Sequence, residues 1–186
     1  MMINKIKEII ADRPRKILDD KSRIPAAVLI LLYEKAGEVC LLFTRRTDKV
    51  ASHKGEISFP GGVRDHNDES WEFTALREAA EEVGIIPETV EVLGLLDDYP
   101  TVASNYVVAP VVGTVAAPPR FRINPDEVEE IIEIPLSFLQ DAYRQKVSPA
   151  EECVSLTLSF QYREHYIWGV TARITQQLLS LLELID

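Results

Sequence analysis

Short apolar runs separated by polar turns dominate the chain between residues 26 and 134. Two of these runs, at 26–33 and 39–44, are joined by Glu34-Lys35-Ala36-Gly37. A few polar residues with one glycine between two apolar runs predict a β-hairpin. Further strands are predicted at 90–96, 107–115, 128–134 and 156–162. Prolines concentrated between positions 100 and 125 mark loops and strand ends. Together these segments predict a mixed or mostly antiparallel sheet.

Helical periodicity marks two longer segments. The first covers residues 69–83, with Asp68 as the predicted N-cap and Gly84 as the residue that ends the helix. At about 100° per residue, its predicted buried stripe consists of Phe73, Leu76, Ala80 and Val83. The second covers residues 171–184 and carries Ile174, Leu178, Leu181 and Leu182 on one face. A shorter amphipathic helix is predicted at 3–11.

Neither repeats nor low-complexity tracts interrupt the 186 residues, and no linker is long enough to separate two domains. We therefore predict a single domain over residues 1–186, in which residues 1–24 form an N-terminal helix and loop extension. The combination of strands and helices predicts the α/β (α+β) class.

Charge and composition exclude several classes of partner. The formal net charge is −10, and an acidic surface repels the phosphates on which generic nucleic-acid binding depends. An anionic substrate would need a local cation, for which carboxylates are natural ligands. The apolar run at 26–33 is too short to cross a bilayer, and residues 1–16 lack the apolar core of a signal peptide. With Cys40 and Cys153 read as reduced thiols, we expect a cytoplasmic protein without membrane or nucleic-acid partners.

Three glutamates in the first long helix are the strongest chemical signal. Spacings of three and four residues bring Glu78, Glu81 and Glu82 together on the face opposite the predicted stripe. Like charges side by side are destabilising, and Mg²⁺ or Mn²⁺ would relieve the repulsion. Taken alone, this cluster fits a solvated helix face better. The turn Phe59-Pro60-Gly61-Gly62 lies immediately upstream, however, and adjacent glycines allow backbone to approach a ligand closely.

The segment from Gly62 to Ile85 resembles the Nudix box, G-x5-E-x7-R-E-U-x-E-E-x-G-U, where U is aliphatic. Its second half matches at Arg77, Glu78, Ala79, Glu81, Glu82, Gly84 and Ile85. Its first half departs, because 14 residues instead of 13 separate Gly62 from Arg77. Either the loop is one residue longer, or Asp68 or Glu69 has lost the usual acidic role. The resemblance implies a Nudix-type α/β/α sandwich with a mixed central sheet and a catalytic helix.

A second motif resembles the coenzyme A pyrophosphatase branch of that family. Its pattern, roughly L-L-T-x-R-S-x3-R-x3-G-x3-F-P-G-G, is similar to the segment from Leu42 to Gly62. The departures are Phe43 for Leu, Thr47 for Ser and Ala51 for Arg, with His53 and Lys54 close enough to replace the missing cation. The segments 126–130 and 167–172 also resemble this branch. The resemblance therefore covers roughly residues 41–172.

The resemblance implies metal-dependent hydrolysis of a nucleoside diphosphate linkage. Glu78 and Glu82 are the predicted metal ligands, Glu81 shares the same or a second ion, and Arg77 holds a glutamate by a bidentate pair. The predicted substrate-binding residues are Arg46, Lys54, Phe59, Gly61 and Gly62. The general base stays open among Glu127, Glu129 and Glu130.

Three functions stay open at the level of sequence. The first is hydrolysis of coenzyme A or an acyl-CoA to 4′-phosphopantetheine, or its acyl form, and adenosine 3′,5′-bisphosphate. The second is Nudix hydrolysis of ADP-ribose, a dinucleoside polyphosphate or a dNTP. The third is a catalytically silent nucleotide-binding module, against which the retention of Glu78, Glu81 and Glu82 argues. The expected partner is a small CoA-like nucleotide, and a homodimer is left open.

Overall fold

The computed structural model describes residues 2–49, 54–102, 104–147 and 158–182. Its helices are α1 (Met2–Asp12), α2 (Trp71–Val83), α3 (Leu136–Val147) and α4 (Gly169–Leu182). Its strands are β1 (Ile24–Lys35), β2 (Glu38–Arg46), β3 (Ile57–Ser58), β4 (Gly61–Val63), β5 (Glu91–Leu95), β6 (Tyr99–Pro100), β7 (Tyr106–Thr114), β8 (Val128–Pro135), β9 (Phe160–Tyr162) and β10 (His165–Ile167). Ala51, His53, Cys153 and the predicted element ends at 156–157 and 183–184 lie outside the described residues.

Within this part of the chain, eight strands form one mixed sheet whose main path is β3-β2-β1-β7-β5. The central strands β1 and β7 run parallel over nine residue pairs, whereas the other pairings are antiparallel. Strands β1 and β2 form the predicted hairpin, in which Lys35 lies opposite Glu38. The two connecting residues, Ala36 and Gly37, have φ of 52° and 84°, as a tight hairpin turn requires.

A split in the sheet positions the glycine turn. Strand β2 pairs first with β1 and then, at Thr44 and Arg45, with β3. Strand β1 instead pairs with β4 over Ala26–Val28, and the Leu29 N–H donates to the Pro60 carbonyl over 2.8 Å. The segment containing β3 and β4 therefore lies where β1 and β2 diverge, which brings Gly61 and Gly62 against the central strand.

Alternation along β1 divides the core into two layers. Ala26, Ile30 and Leu32 belong to one layer, which contains apolar side chains of α1, α3 and α4. Leu29 and Leu31 belong to the other layer, which is shared with α2. Since successive side chains of a strand point to opposite faces, α2 covers one face of the sheet and α1, α3 and α4 cover the other. The predicted α/β/α sandwich with a mixed central sheet is confirmed. None of the helices in the described ranges is long and apolar enough to span a membrane.

Helix α2 differs from its prediction at one end and in its rotation. Ser70, not Asp68, is the N-cap, and its Oγ accepts the Phe73 N–H over 3.1 Å. At the other end, Gly84 terminates the helix as predicted, with φ of 72°. The predicted buried stripe was only partly right, because Val83 is buried but Phe73 is 48% exposed. The side chains that are buried belong to Thr74, Ala75, Ala79, Glu82 and Val83. Short alanine side chains allow this face to lie close to the sheet, and Glu82 lies on it.

Candidate active site

Arg77 is anchored to the loop that precedes α2. Its Nε and Nη2 donate to the two carboxylate oxygens of Asp68 over 3.1 and 3.0 Å, and Nη2 also donates to the Val63 carbonyl over 3.1 Å. The Asp68 side chain is 2% exposed and also accepts from Thr74 Oγ1 and the Asp65 N–H. Arg77, the Asp65 N–H and Thr74 together lower the pKa of Asp68 to about 2. A bidentate pair of this kind fixes both the loop and the orientation of the guanidinium.

The carboxylate that Arg77 holds bidentately is therefore an aspartate, not the glutamate that we predicted. Asp68 is the acidic residue of the loop that contacts Arg77, whereas Glu69 is exposed. The remaining nitrogen, Nη1, lies 2.8 Å from Glu78 Oε1 and 3.3 Å from Glu81 Oε1. Arg77 thus binds the loop through Nε and Nη2 and contacts two of the three glutamates through Nη1.

Glu82 is a buried carboxylate with two partners. The residue is 2% exposed, its Oε1 lies 3.4 Å from Arg46 Nη1, and its Oε2 accepts the Gly61 N–H over 3.3 Å. Burial raises the pKa of Glu82 to about 8, because removal from water disfavours the charged form. Arg46 and Gly61 oppose this rise, whereas Glu127 and Glu78 add to it. Glu82 therefore lies in a site that disfavours its charge unless a further cation is present.

Glu78 lies directly over the glycine turn. A Cβ atom on Gly62 would come within 2.4 Å of the Glu78 carboxylate, so the absence of a side chain there leaves the space that the carboxylate occupies. Gly61 is constrained differently, since a Cβ there would lie 2.3 Å from the Ala27 carbonyl oxygen. Burial is the main cause that raises the pKa of Glu78; Glu81 and Glu127 add to it, and Arg77 opposes it. The absence of a side chain at Gly61 thus allows strand pairing, and its absence at Gly62 allows the Glu78 carboxylate to lie against the turn.

These groups line one cavity of about 270 Å³. Its polar wall includes Glu78, Glu82, Glu127, Glu56, Arg46, Ser58, Gly61 and Gly62. Its remaining walls are mainly apolar or hydroxyl-bearing, and include Val28, Phe59, Val63, Thr101, Tyr106, Val108, Val170 and Thr171. A larger cavity of about 360 Å³ lies between the β1–β2 hairpin and α3, but it contains none of the predicted site residues. The smaller cavity is therefore the candidate active site.

The donor set of this cavity fits a hard divalent cation. Glu78, Glu82 and Glu127 all line it, and Glu127 contributes to the raised pKa of both other carboxylates. Carboxylate oxygens are the preferred ligands of Mg²⁺ and Mn²⁺. Among the described residues, no group of three or more His, Cys, Asp or Glu side chains is already arranged around a common metal position. Arg46 contacts Glu82 and Arg77 contacts Glu78, so each of these carboxylates already has a cationic partner.

Only some of the other predicted site residues line the cavity. Glu81 has a side chain that is 56% exposed, and it contacts Arg77 without lining the cavity. Lys54 is exposed and does not line the cavity either. Phe59 is 2% exposed and stacks on Phe43 with ring centroids 4.6 Å apart, so most of its surface belongs to the core. Arg46 lines the cavity, as expected of a residue that contacts substrate.

The structure also separates the candidates for the general base. Arg45, the neighbour of Arg46, pairs with Glu129 at 3.4 Å and with Glu130 at 3.0 Å, and neither glutamate lines the cavity. Glu127 does line it, and Asn124 Nδ2 donates to its Oε1 over 3.1 Å. Of the three candidates, Glu127 has the placement that acid–base chemistry in the cavity requires.

Comparison with known proteins identifies related sequences. The NUDIX domain model matches residues 23–152. An uncharacterized Nudix hydrolase, NudL, of Pectobacterium atrosepticum is 44% identical over 141 residues, which cover 74% of this chain and 72% of that protein. A protein of the same name from Escherichia coli strain SMS-3-5 is 36% identical over 171 residues, covering 89% and 86%.

Solved structures agree on the fold. A Caenorhabditis elegans Ap4A hydrolase in a binary complex has a TM-score of 0.56 at 17% identity and covers 87% of this chain and 96% of that one. The Nudix hydrolase RenU of Mycobacterium smegmatis has a TM-score of 0.54 at 24% identity, covering 64% and 74%. The domain match and the relatives above establish what kind of enzyme this is: the chain belongs to the Nudix family, whose hydrolases cleave the diphosphate linkage of nucleoside diphosphate derivatives.

Proposed function

We propose that the protein hydrolyses coenzyme A or an acyl-CoA to 4′-phosphopantetheine, or its acyl form, and adenosine 3′,5′-bisphosphate. The observation that carries the proposal is the cavity in which Glu78, Glu82 and Glu127 face the same space as Arg46. Support for coenzyme A, among diphosphate substrates, comes from the segment between Leu42 and Gly62, which resembles the coenzyme A pyrophosphatase signature. That segment contributes Arg46, Ser58, Phe59, Gly61 and Gly62 to the cavity.

The glutamates have separate roles in this proposal. Glu78 and Glu82, one helical turn apart, would hold a divalent cation, and Glu81 would contribute to the same or a second ion from its more exposed position. A cation held there would supply positive charge beside the phosphate oxygens and would make water a better nucleophile. Glu127 accepts a proton from the attacking water or serves as a further ligand. Arg77 positions Glu78 and Glu81, since it is itself fixed by Asp68.

Substrate orientation is assigned to the rest of the cavity. Arg46 presents a buried Nε–H that has no acceptor among the described residues, and a phosphate oxygen would satisfy it. The wall formed by Val28, Tyr106, Val108 and Val170 suits an uncharged part of the substrate. The cavity of about 270 Å³ would accommodate the diphosphate and part of the groups attached to it. The remainder of a molecule as large as coenzyme A would lie along the open surface.

A second candidate is hydrolysis of another nucleoside diphosphate, such as ADP-ribose, a dinucleoside polyphosphate or a dNTP. The observation that favours it is Ala51, which stands where the coenzyme A signature has arginine. Its neighbour His53 also lies outside the described residues, and Lys54 does not line the cavity. A silent binding module would have little use for three glutamates beside a cavity. Cytoplasmic location stays a prediction from the sequence, and a homodimer stays open.

A product analysis distinguishes these candidates. The protein is incubated separately with coenzyme A, ADP-ribose, a dinucleoside polyphosphate and a dNTP, with Mg²⁺, with Mn²⁺ and with chelator. We expect metal-dependent release of adenosine 3′,5′-bisphosphate from coenzyme A to be the fastest reaction. Faster turnover of another substrate would retain Nudix chemistry and overturn the coenzyme A assignment. Absence of all turnover with either metal would instead favour the silent module.

A further inference from the structure

Arg46 is the cation that already contacts the buried carboxylate of Glu82. Its Nη1 lies 3.4 Å from Glu82 Oε1, while Glu82 Oε2 accepts the Gly61 N–H. Both side chains line the candidate active site. We propose that Arg46 competes with the divalent cation for Glu82, and that a substrate phosphate relieves this competition by binding Arg46. The inference rests on the proposed function, because it takes Glu82 as a metal ligand.

Competition follows from the limited number of partners that Glu82 has. The residue is 2% exposed, so water contributes little to the solvation of its carboxylate. Oε1 is the oxygen nearest to Arg46, and the Gly61 N–H holds the other oxygen toward the glycine turn. A guanidinium and a metal ion that approach the same oxygen also repel each other, because both are positive. Metal binding through Oε1 is therefore disfavoured while Arg46 stays in this contact.

A phosphate is a suitable second partner for Arg46. The guanidinium presents its donors in a planar fork that matches phosphate oxygens. In the described part of the chain, the buried Nε of Arg46 has no hydrogen-bond acceptor, and the contact from Nη1 to Glu82 is long for a charge-assisted bond. A phosphate in the cavity would offer Arg46 better contacts than Glu82 does. Glu82 would then be free to ligate the cation, so substrate and metal binding would strengthen each other.

Arg45 provides a matched control for this role. It lies next to Arg46 on β2 and carries the same charge, but its partners are Glu129 and Glu130. It does not line the cavity and does not contact Glu82. Replacing either arginine with glutamine removes one positive charge from the same strand. A difference between the two variants therefore reports on the contact with Glu82 and not on net charge.

The test measures the dissociation constant of Mg²⁺ by isothermal titration calorimetry, without and with α,β-methylene ADP, a diphosphate that resists hydrolysis. Arg46 also lowers the pKa of Glu82, so its removal favours protonation of that carboxylate. Titration at pH about 9 limits this opposing effect. Without nucleotide, Arg46→Gln should bind Mg²⁺ about tenfold more tightly than the wild type, within the usual range of coupling between sites. The Mg²⁺ dissociation constant of Arg45→Gln should stay within about twofold of the wild-type value.

The nucleotide arm measures the coupling itself. α,β-Methylene ADP should tighten Mg²⁺ binding to the wild type by a larger factor than to Arg46→Gln, because only the wild type gains from the release of Glu82. Equal or weaker Mg²⁺ binding by Arg46→Gln, with Glu82→Gln clearly impaired, would overturn this inference and leave the proposed metal site intact. Unchanged Mg²⁺ binding by Glu82→Gln would overturn both this inference and the proposed metal site, since Glu82 would then not be a ligand. Circular dichroism of each variant checks that β2 and the sheet are retained.

Discussion

At the scale of single residues, Glu82 is the most informative side chain. A carboxylate with 2% exposure and a pKa of about 8 is costly to keep ionised, and hydrophobic replacements of buried charges are often neutral or stabilising. Its surroundings nevertheless consist of an arginine, a backbone N–H and two further carboxylates. Such an arrangement is typical of sites whose charge serves binding or catalysis. Glu82 is therefore the residue on which the proposed chemistry depends most.

Glu82→Gln preserves the shape of this side chain and removes its charge. We expect turnover at limiting Mg²⁺ to fall at least about 100-fold, because a metal ligand is lost. The stability should be unchanged or slightly higher, since burial disfavours the charged form of Glu82 and the amide of glutamine carries no charge. Glu81→Gln is the matched control, because its side chain is 56% exposed, and its loss should be clearly smaller. Full turnover by Glu82→Gln would show that the ligand assignment is wrong.

Asp68→Asn tests the anchor of Arg77. The pKa of Asp68 is lowered from 3.8 to about 2 in the folded protein, so its contribution to stability is complete above pH 3.8 and is lost as the pH falls through about 2. At neutral pH the variant should lose roughly 2–3 kcal/mol, as expected for a buried charged hydrogen bond. Urea unfolding between neutral pH and pH about 2 measures both effects. The difference between wild type and variant should shrink at the acidic end, and a constant difference would contradict this explanation.

At the scale of elements, the turn that precedes α2 combines two constraints. A Cβ on Gly61 would meet backbone of β1, whereas a Cβ on Gly62 would meet the Glu78 carboxylate. Backbone cannot move without disturbing the sheet, but the Glu78 side chain can rotate away. A substitution at Gly61 should therefore affect folding, whereas a substitution at Gly62 should affect function.

The corresponding variants should behave differently. Gly61→Ala is expected to lower the free energy of unfolding by at least about 2 kcal/mol, because strand pairing is disturbed. Gly62→Ala should fold with nearly native stability but lose about 10- to 100-fold in turnover, since small displacements of a catalytic group are costly. Thermal unfolding and steady-state kinetics measure the two effects. Equal loss of stability in both variants would contradict the assignment of Gly61 to folding and of Gly62 to function.

The sequence predicted elements better than it predicted their orientation. Alternation over 26–33 and 39–44 was sufficient for the hairpin, because strand periodicity specifies a face directly. The prediction of which face of α2 is buried was wrong at Phe73, since counting apolar residues favoured it over the small Ala75 and Ala79, which are buried. Helix α3 was missed, although Leu136, Leu139 and Tyr143 have helical spacing and are buried. Strands β3 and β4, of two and three residues, are too short to produce a pattern.

At the scale of the whole molecule, the N-terminal extension is bound to the central domain. Arg13 pairs with Asp97 and Arg15 with Asp98, and the Lys16 and Leu18 N–H groups each donate over 2.9 Å to the same carboxylates. Asp97 and Asp98 directly precede β6, which leads to cavity residue Thr101. These contacts support the proposal that residues 1–24 form part of one domain with the Nudix core.

Arg15→Met tests the contribution of this extension. The Asp98 side chain is 1% exposed, so the variant leaves a buried carboxylate without its cation and should lose roughly 3 kcal/mol. Lys7→Met is the control, because its pair with Glu91 is half-exposed, and it should cost less than about 1 kcal/mol. Urea unfolding measures both. Similar small losses in both variants would show that the extension adds little to the domain.

Assembly of the site was only partly visible in the sequence. The helical glutamates and the glycine turn are neighbours along the chain, and the resemblance of this segment to the Nudix box identified them. Glu127, Tyr106 and Val170 come from distant segments, and their convergence depends on the β1–β7 pairing and on the packing of α4 against the sheet. The role of Asp68 was missed because a residue before a helix is also a common N-cap.

The most direct measurement of a metal-dependent reaction at Glu78 and Glu82 is the hydrolysis of coenzyme A by wild type, Glu78→Gln and Glu82→Gln, followed by chromatography of the products. With Mg²⁺ or Mn²⁺, the wild type should release adenosine 3′,5′-bisphosphate and 4′-phosphopantetheine in equal amounts. Chelator, or either substitution, should reduce this release at least about 100-fold while the folded state is retained. Undiminished release by both variants, or release that persists with chelator, would contradict a metal-dependent hydrolase built on Glu78 and Glu82.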